Sequence, residues 1–109
     1  YSGNDDQIVP FLSMGGSGII SVLSNIMPKE TVEICDSFFK GDVKKSAQLQ
    51  CDYMELIKLL FCEVNPIPVK AAAAAMGFGE NYLRLPLTAM EKDHEEKLLA
   101  QMKKHGLIF

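Results

Sequence analysis

The chain has 109 residues, of which 48% are hydrophobic and 23% charged, and its formal net charge is −3. This length suits one domain with a modest core, and the small negative charge gives no electrostatic reason to bind nucleic acid or an anionic membrane. No apolar run approaches the ~20 residues that span a bilayer.

The first predicted element is a helix over residues 4–14. Asn4 suits its N-cap, and Asp5 and Asp6 suit the positive end of its dipole. Pro10 predicts a kink or a short first turn, and the pair Gly15-Gly16 ends the helix. The apolar run at residues 18–22 then predicts one buried β-strand, since β-branched residues follow one another there.

Four further helices are predicted downstream from proline, glycine and apolar spacing. They begin at Pro28 (closed by Gly41), at Asp42 (running to about Glu63), at Pro68 (over the alanines 71–75, ended by Gly77) and at Glu91 (to His105), with an extended loop at 78–90. The two histidines lack any neighbouring ligand pattern, so both are expected as solvated surface residues.

The three cysteines are odd in number and spaced 16 and 11 apart, at Cys35, Cys51 and Cys62. This spacing fits neither a disulfide framework nor a paired-cysteine zinc site. It predicts buried, reduced thiols in a cytoplasmic protein, and no metal site.

A solitary strand is not an independent structure, because its backbone N–H and C=O groups need partners. A strand with successive apolar residues between two helices is typical of a parallel sheet that is buried on both faces. Residues 1–3 have room to be the tail of an earlier strand. The physical interpretation is therefore the C-terminal piece of a larger βα protein, carrying its last one or two βα units and a helical extension.

Four segments strengthen this interpretation because their order and spacing resemble the dihydrodipicolinate synthase family of pyruvate-dependent lyases. The segments are Tyr1–Asp5, Gly15–Val22, Asn65–Lys70 and Arg84–Leu87. The resemblance covers the whole chain but only the C-terminal part of the family's enzymes. Asn4 departs from the usual Asp or Glu after Ser-Gly, which puts any charge role at this position in doubt.

The resemblance implies a fold class as well. The parent is expected to be an α/β protein, a (β/α)8 TIM barrel with a C-terminal helical domain, and this chain to be mainly α. Residues 1–40 would be the end of the barrel, with Tyr1–Gly3 closing strand seven and residues 18–22 forming strand eight. Residues 41–109 would be the helical domain.

The resemblance also implies chemistry and partners. The parent would condense pyruvate with aspartate semialdehyde through a lysine Schiff base in lysine biosynthesis, without a cofactor, as a cytoplasmic homotetramer. The catalytic lysine is implied to lie upstream of Tyr1, so this chain is expected to hold no catalytic residue and to be inactive alone. Two substrate-binding positions carry over: Ile20 would line the pyruvate pocket, and Gly3 would face the second substrate.

Other interpretations stay open on the residues themselves. Spacing alone favours Ile20 as a core residue and Gly3 as a turn glycine. Lys70, between Val69 and five alanines, could form an imine, but its early helical position favours a lysine whose amine reaches water. The alternatives to the lyase are another pyruvate-dependent class I aldolase and a stand-alone helical interaction module.

Overall fold

A computed structural model describes all 109 residues, Tyr1–Phe109. Two short 3-10 helices, Asp5–Gln7 and Leu23–Asn25, accompany six α-helices. The α-helices are α1 (Ile8–Ser13), α2 (Pro28–Phe39), α3 (Val43–Asp52), α4 (Met54–Leu60), α5 (Ile67–Ala75) and α6 (Lys92–Lys104). The chain divides into two units, residues 1–57 and residues 58–109, with the division inside α4.

Three of the predicted helices are confirmed almost to the residue. α2 begins at Pro28, where the missing N–H has no helical acceptor to lose, and α5 begins one residue before Pro68. α6 carries acids in its first turn and lysines in its last turn, as the helix dipole favours. None of the helices is both long and apolar enough to cross a bilayer.

The single helix predicted from Asp42 to about Glu63 is wrong, because the structure has two helices there. Asp42 does cap α3, its Oδ1 accepting the Lys45 N–H at 3.0 Å. The interruption is Tyr53, with φ −95° and ψ 0°, after which α4 begins at Met54 and ends at Leu60. Apolar residues keep helical spacing on both sides of Tyr53, so periodicity alone does not mark the break.

The predicted strand at residues 18–22 is also wrong as a strand. Ile19 makes one isolated parallel bridge with Ser2, and no longer ladder forms. Val22 already has helical dihedral angles, and the 3-10 helix Leu23–Asn25 follows it directly. The parallel pairing of residues 1–3 with residues 18–20 is nevertheless present, although each partner contributes only one bridged residue.

The helix predicted over residues 4–14 is shorter than expected and begins differently. A 3-10 helix precedes α1, Pro10 lies in the first turn of α1, and the Asn4 side chain makes no capping hydrogen bond. The following turn needs two glycines for different reasons. Gly15 has φ +93°, whereas a Cβ on Gly16 would lie 2.3 Å from the ring of Phe11 and 2.8 Å from its carbonyl oxygen.

In the first unit, α1, α2 and α3 pack against one another. Their core is a cluster of Ile8, Leu12 and Ile34, against which partly buried side chains such as Ile19 and Phe38 pack. α3 is also tied to α2 by a buried hydroxyl, since Ser46 Oγ donates to the Ile34 carbonyl at 2.6 Å.

In the second unit, α5 packs on α6. Ala71 and Ala72 of α5 are buried, as expected of small side chains that let a neighbour approach closely, and so are Leu98 and Met102 of α6. The segment between the two helices is irregular, as predicted for residues 78–90, and only Met90 within it is buried.

Candidate functional site

Two extended segments of the first unit lie side by side and run in the same direction. The Ser2 N–H donates to the Gly18 carbonyl at 3.0 Å, and the Ile20 N–H donates to the Ser2 carbonyl at 2.8 Å. Gly3 and Ile20 each directly follow a bridged residue, Ser2 and Ile19. The two predicted substrate-binding residues are therefore brought to the same end of the paired segments, which is their carboxyl end.

A buried carboxylate fixes the chain just beyond Ile20. Asp5 is fully buried, and its Oδ2 accepts the N–H groups of Val22 at 2.9 Å and Leu23 at 3.1 Å. Its Oδ1 has no hydrogen-bond partner. Asp5 lies in the first turn of its own helix, as predicted, but the sequence did not indicate its hydrogen-bond partners. The carboxylate accepts from free donors at the start of a different helix, Leu23–Asn25.

The 3-10 helix that begins at Asp5 is itself held in place by α3. Gln50, buried in α3, donates from Nε2 to the Asp5 carbonyl at 2.9 Å and accepts the Val9 N–H on Oε1 at 3.2 Å. Both ends of one amide are used, so α3 sets the position of the 3-10 helix and of the α1 start. A chain of side-chain contacts therefore runs from α3 through Asp5 to the residues that follow Ile20.

The predicted core role of Ile20 is wrong, because its side chain is 74% exposed. Ile19 is the residue that packs against the core cluster, and successive side chains of an extended segment point to opposite sides. Gly3 is exposed, and a Cβ built on it would meet no atom within 4 Å. Both positions thus offer open surface at the carboxyl end of the paired segments.

A groove of about 290 Å³ lies nearby in the first unit, but it does not contain the two predicted residues. Its lining comes from the paired segments, from the 3-10 helix Leu23–Asn25 and from α2, and includes Tyr1, Ile19, Ser24, Thr31 and Cys35. Gly3 and Ile20 lie outside it, so the structure does not combine this groove and the predicted positions into one pocket.

The predictions for cysteine and histidine need correction. All three cysteines are free thiols, but Cys51 and Cys62 are exposed and Cys35 is half-buried, with its pKa raised by burial and by Asp36. The spacing between cysteines does not show whether each thiol faces the core or the solvent. His94 is not simply solvated, because its Nδ1 lies 2.8 Å from Glu63 Oε2.

The family model for the dihydrodipicolinate synthetase family matches residues 1–105. The chain belongs to this family. It is 56% identical over 108 residues to the 4-hydroxy-tetrahydrodipicolinate synthase of Alkaliphilus oremlandii, covering 99% of this chain but 37% of the relative. The chain thus spans little more than a third of the curated relatives that it matches.

Solved structures of the same family agree with the fold. The dihydrodipicolinate synthase of Thermotoga maritima superposes with a TM-score of 0.97 at 47% identity, covering 99% of this chain and 37% of that one. The Acinetobacter baumannii enzyme, solved as a complex with pyruvate, gives a TM-score of 0.93 at 38% identity and the same coverage. These homologues are TIM barrels, and the part that corresponds to this chain is mainly helical, as predicted.

Proposed function

We propose that this chain is the C-terminal part of a lyase that condenses pyruvate with aspartate semialdehyde through a lysine Schiff base, in lysine biosynthesis. The supporting observation is the parallel Ser2–Ile19 pairing within a chain that matches the family model over residues 1–105. Residues 1–40 would complete the barrel and residues 41–109 would form the helical domain. The free cysteines agree with a cytoplasmic location.

Gly3 and Ile20 are proposed to face the substrates. They lie at the carboxyl end of parallel segments, where barrel enzymes build their active sites. The exposed Ile20 side chain offers apolar surface without charge, which suits a pocket for an anionic keto acid. Gly3 leaves open space beside it. The Asp5 carboxylate would act as a positioning group, because it fixes the backbone of Val22 and Leu23.

A chimera tests the proposal directly. The 108 matched residues of the Alkaliphilus oremlandii synthase are replaced by this chain, and condensation of pyruvate with aspartate semialdehyde is measured. At 56% identity the replaced segment should keep its packing, so kcat/KM is expected to stay within about tenfold of the parent. A folded, oligomerically normal chimera without activity would contradict the proposed function.

Charge substitutions in the chimera test the role of Ile20. Ile20→Asp should raise the KM for pyruvate about tenfold or more, since about 1.4 kcal/mol of repulsion between like charges suffices. Val32→Asp is the matched control, because Val32 is also exposed, at 57%, and the added charge is the same. An equal rise in both variants, or none in either, would remove Ile20 from the pocket.

We further propose that the 109-residue chain alone is inactive. Borohydride trapping with labelled pyruvate should leave every lysine unmodified. Lys70 is the lysine on which this test depends most, since it is half-buried and lies near the start of α5, next to the alanine run. A stable pyruvate adduct on Lys70 or on another lysine of the isolated chain would contradict this assignment.

The whole enzyme is proposed to be a homotetramer, and the isolated chain is proposed to self-associate. Its first unit exposes several large apolar side chains, among them Tyr1, Ile20, Val32 and Phe39. Large exposed apolar patches are uncommon on monomers. Light scattering across a dilution series is the measurement, and a concentration-independent 12.1 kDa particle with a cooperative melt would contradict self-association.

A further inference from the structure

Three side chains of the second unit carry different metal-binding atoms within a small volume. Cys62 and Glu63 lie in the turn after α4, and His94 lies in the first turn of α6. The Cys62 thiol, a Glu63 carboxylate oxygen and a His94 ring nitrogen all lie within 4.8 Å of one another. Thirty-one residues separate Glu63 from His94, so the fold and not local sequence brings these atoms together.

Two of the three side chains are already held in place. Glu63 Oε2 lies 2.8 Å from His94 Nδ1 and also accepts the Glu91 N–H at 3.0 Å. The Glu63 side chain is only 17% exposed and the His94 side chain 34%. The carboxylate of Glu91 lies 3.7 Å from the same His94 nitrogen, so a fourth donor is within reach. Glu63 and His94 would therefore lose little further side-chain freedom if a cation bound between them.

The donor set identifies the class of cation. A thiolate, an imidazole and a carboxylate form a set that zinc accepts, whereas magnesium and calcium require oxygen donors. Zinc–ligand bonds of about 2.0–2.3 Å place neighbouring tetrahedral ligands about 3.4–3.6 Å apart. The distances in this cluster bracket that separation, so small side-chain rotations would suffice.

We propose that Cys62, Glu63 and His94 bind a zinc-like divalent cation, with Glu91 or water as the fourth ligand. Binding would exchange the Glu63–His94 hydrogen bond for two metal bonds and link the turn after α4 to the start of α6. The thiol gives its proton to water as the sulfur–metal bond forms. The proposal does not depend on the lyase function, and its test does not use activity.

Protection from alkylation is the direct test, because the chain provides its own control. Cys51 and Cys62 are both exposed free thiols, but only Cys62 belongs to the cluster. The unaltered 109-residue chain is treated with iodoacetamide, with and without zinc chloride, and the modification rate of each thiol is followed by peptide mass. Zinc at about ten times its Kd should slow Cys62 about tenfold and leave Cys51 unchanged, and a chelator should restore the rate.

Variants then assign the ligands. Glu63→Gln keeps an oxygen for the Glu91 N–H but removes the carboxylate, and it should abolish zinc protection of Cys62. Glu96→Gln is the matched control, since it removes an exposed acid of α6 outside the cluster. Absorption by added cobalt should show a thiolate-to-metal band that disappears in Cys62→Ser. The proposal is overturned if zinc protects neither thiol or protects both equally. It is also overturned if zinc protects Cys62 to the same extent in Glu63→Gln and in Glu96→Gln.

Discussion

The two units of the chain use their buried space differently. All six buried polar side chains lie in the first unit, and three of them, Asp5, Ser46 and Gln50, bond to main-chain groups of other elements. The buried side chains of the second unit are apolar. Its polar link between elements runs from the partly exposed Glu63 to His94 and to the backbone of Glu91.

This difference follows from what each unit has to fix. The first unit contains irregular segments, residues 2–4 and 18–22, where the single Ser2–Ile19 bridge does not pair every N–H group. Side-chain oxygens accept the N–H groups of Asn4 and Val22 instead. Most buried side chains of the second unit belong to α5 and α6, whose backbone groups bond within each helix, so apolar contact suffices to hold them together. A destabilising substitution should therefore act through unpaired hydrogen-bonding groups in the first unit and through cavities in the second unit.

The largest effect is expected for Asp5→Ala. The substitution leaves the Val22 and Leu23 N–H groups without their acceptor, and losing two bonds to a charged group should lower the free energy of unfolding by about 4 kcal/mol. Asp6→Ala is the control, because Asp6 is exposed, and it should cost less than about 0.5 kcal/mol. Urea unfolding and amide exchange at Val22 and Leu23 measure both, and equal losses would contradict the buried-acceptor role.

The next largest loss of stability is expected from a cavity in the second unit, and the destabilisation should be localised there. Leu98 is fully buried in α6, so Leu98→Ala is expected to cost about 3 kcal/mol, whereas Leu98→Met should cost less than about 1.5 kcal/mol. Hydrogen exchange resolves where protection is lost. Faster exchange confined to α1–α3 would show that the comparison between the units is mistaken.

Gln50→Ala sharpens the comparison from the first unit. It deprives the Asp5 carbonyl and the Val9 N–H of their partners, for an expected cost of about 2 kcal/mol. Gln48→Ala is the control, because Gln48 lies two residues earlier in α3 and is exposed. This change removes only a side-chain bond to Asp52 and should cost about 0.5 kcal/mol or less. Chemical denaturation gives the free energy of unfolding of each variant. A larger loss in Gln48→Ala than in Gln50→Ala would contradict the prediction.

The smallest effect is expected for the exposed ion pair between Lys45 and Glu33. The hydrogen bond and charge of Lys45 lower the pKa of Glu33 below its usual 4.5. The pair's contribution should therefore be present at neutral pH and disappear as the pH falls through the lowered pKa of Glu33. The difference in Tm between the parent and Lys45→Met should be small and should vanish in acid; a difference that persists there would have another cause.

The helices could be predicted from sequence wherever local chemistry determines them. Pro28, Asp42 and the lysines that end α6 act through bonds and charges within one or two turns, and the helix ends that they determine are found where expected. The break at Tyr53 could not be predicted, since the apolar spacing continues across it. The strand at 18–22 could not be excluded either, because strand formation depends on neighbours outside the local sequence.

The functional residues were less predictable for the same reason. The positions of Gly3 and Ile20 came from the resemblance, and their exposure came only from the structure. Asp5 was visible as an acid at a helix start, but its partners lie 17 and 18 residues away. Nothing in the sequence around Cys62 points to His94, because a metal-ligand pattern requires short spacings and this cluster is assembled by the packing of distant segments.

The turn at Gly15-Gly16 has a consequence for how this sequence can change over generations. Gly15 needs an unusual φ, which an asparagine can tolerate at some cost. Gly16 needs room, and two separate parts of Phe11 occupy that room. Shrinking Phe11 in the same molecule would remove the ring but not the carbonyl oxygen 2.8 Å away, so no single second-site substitution at position 11 fully rescues a side chain at position 16.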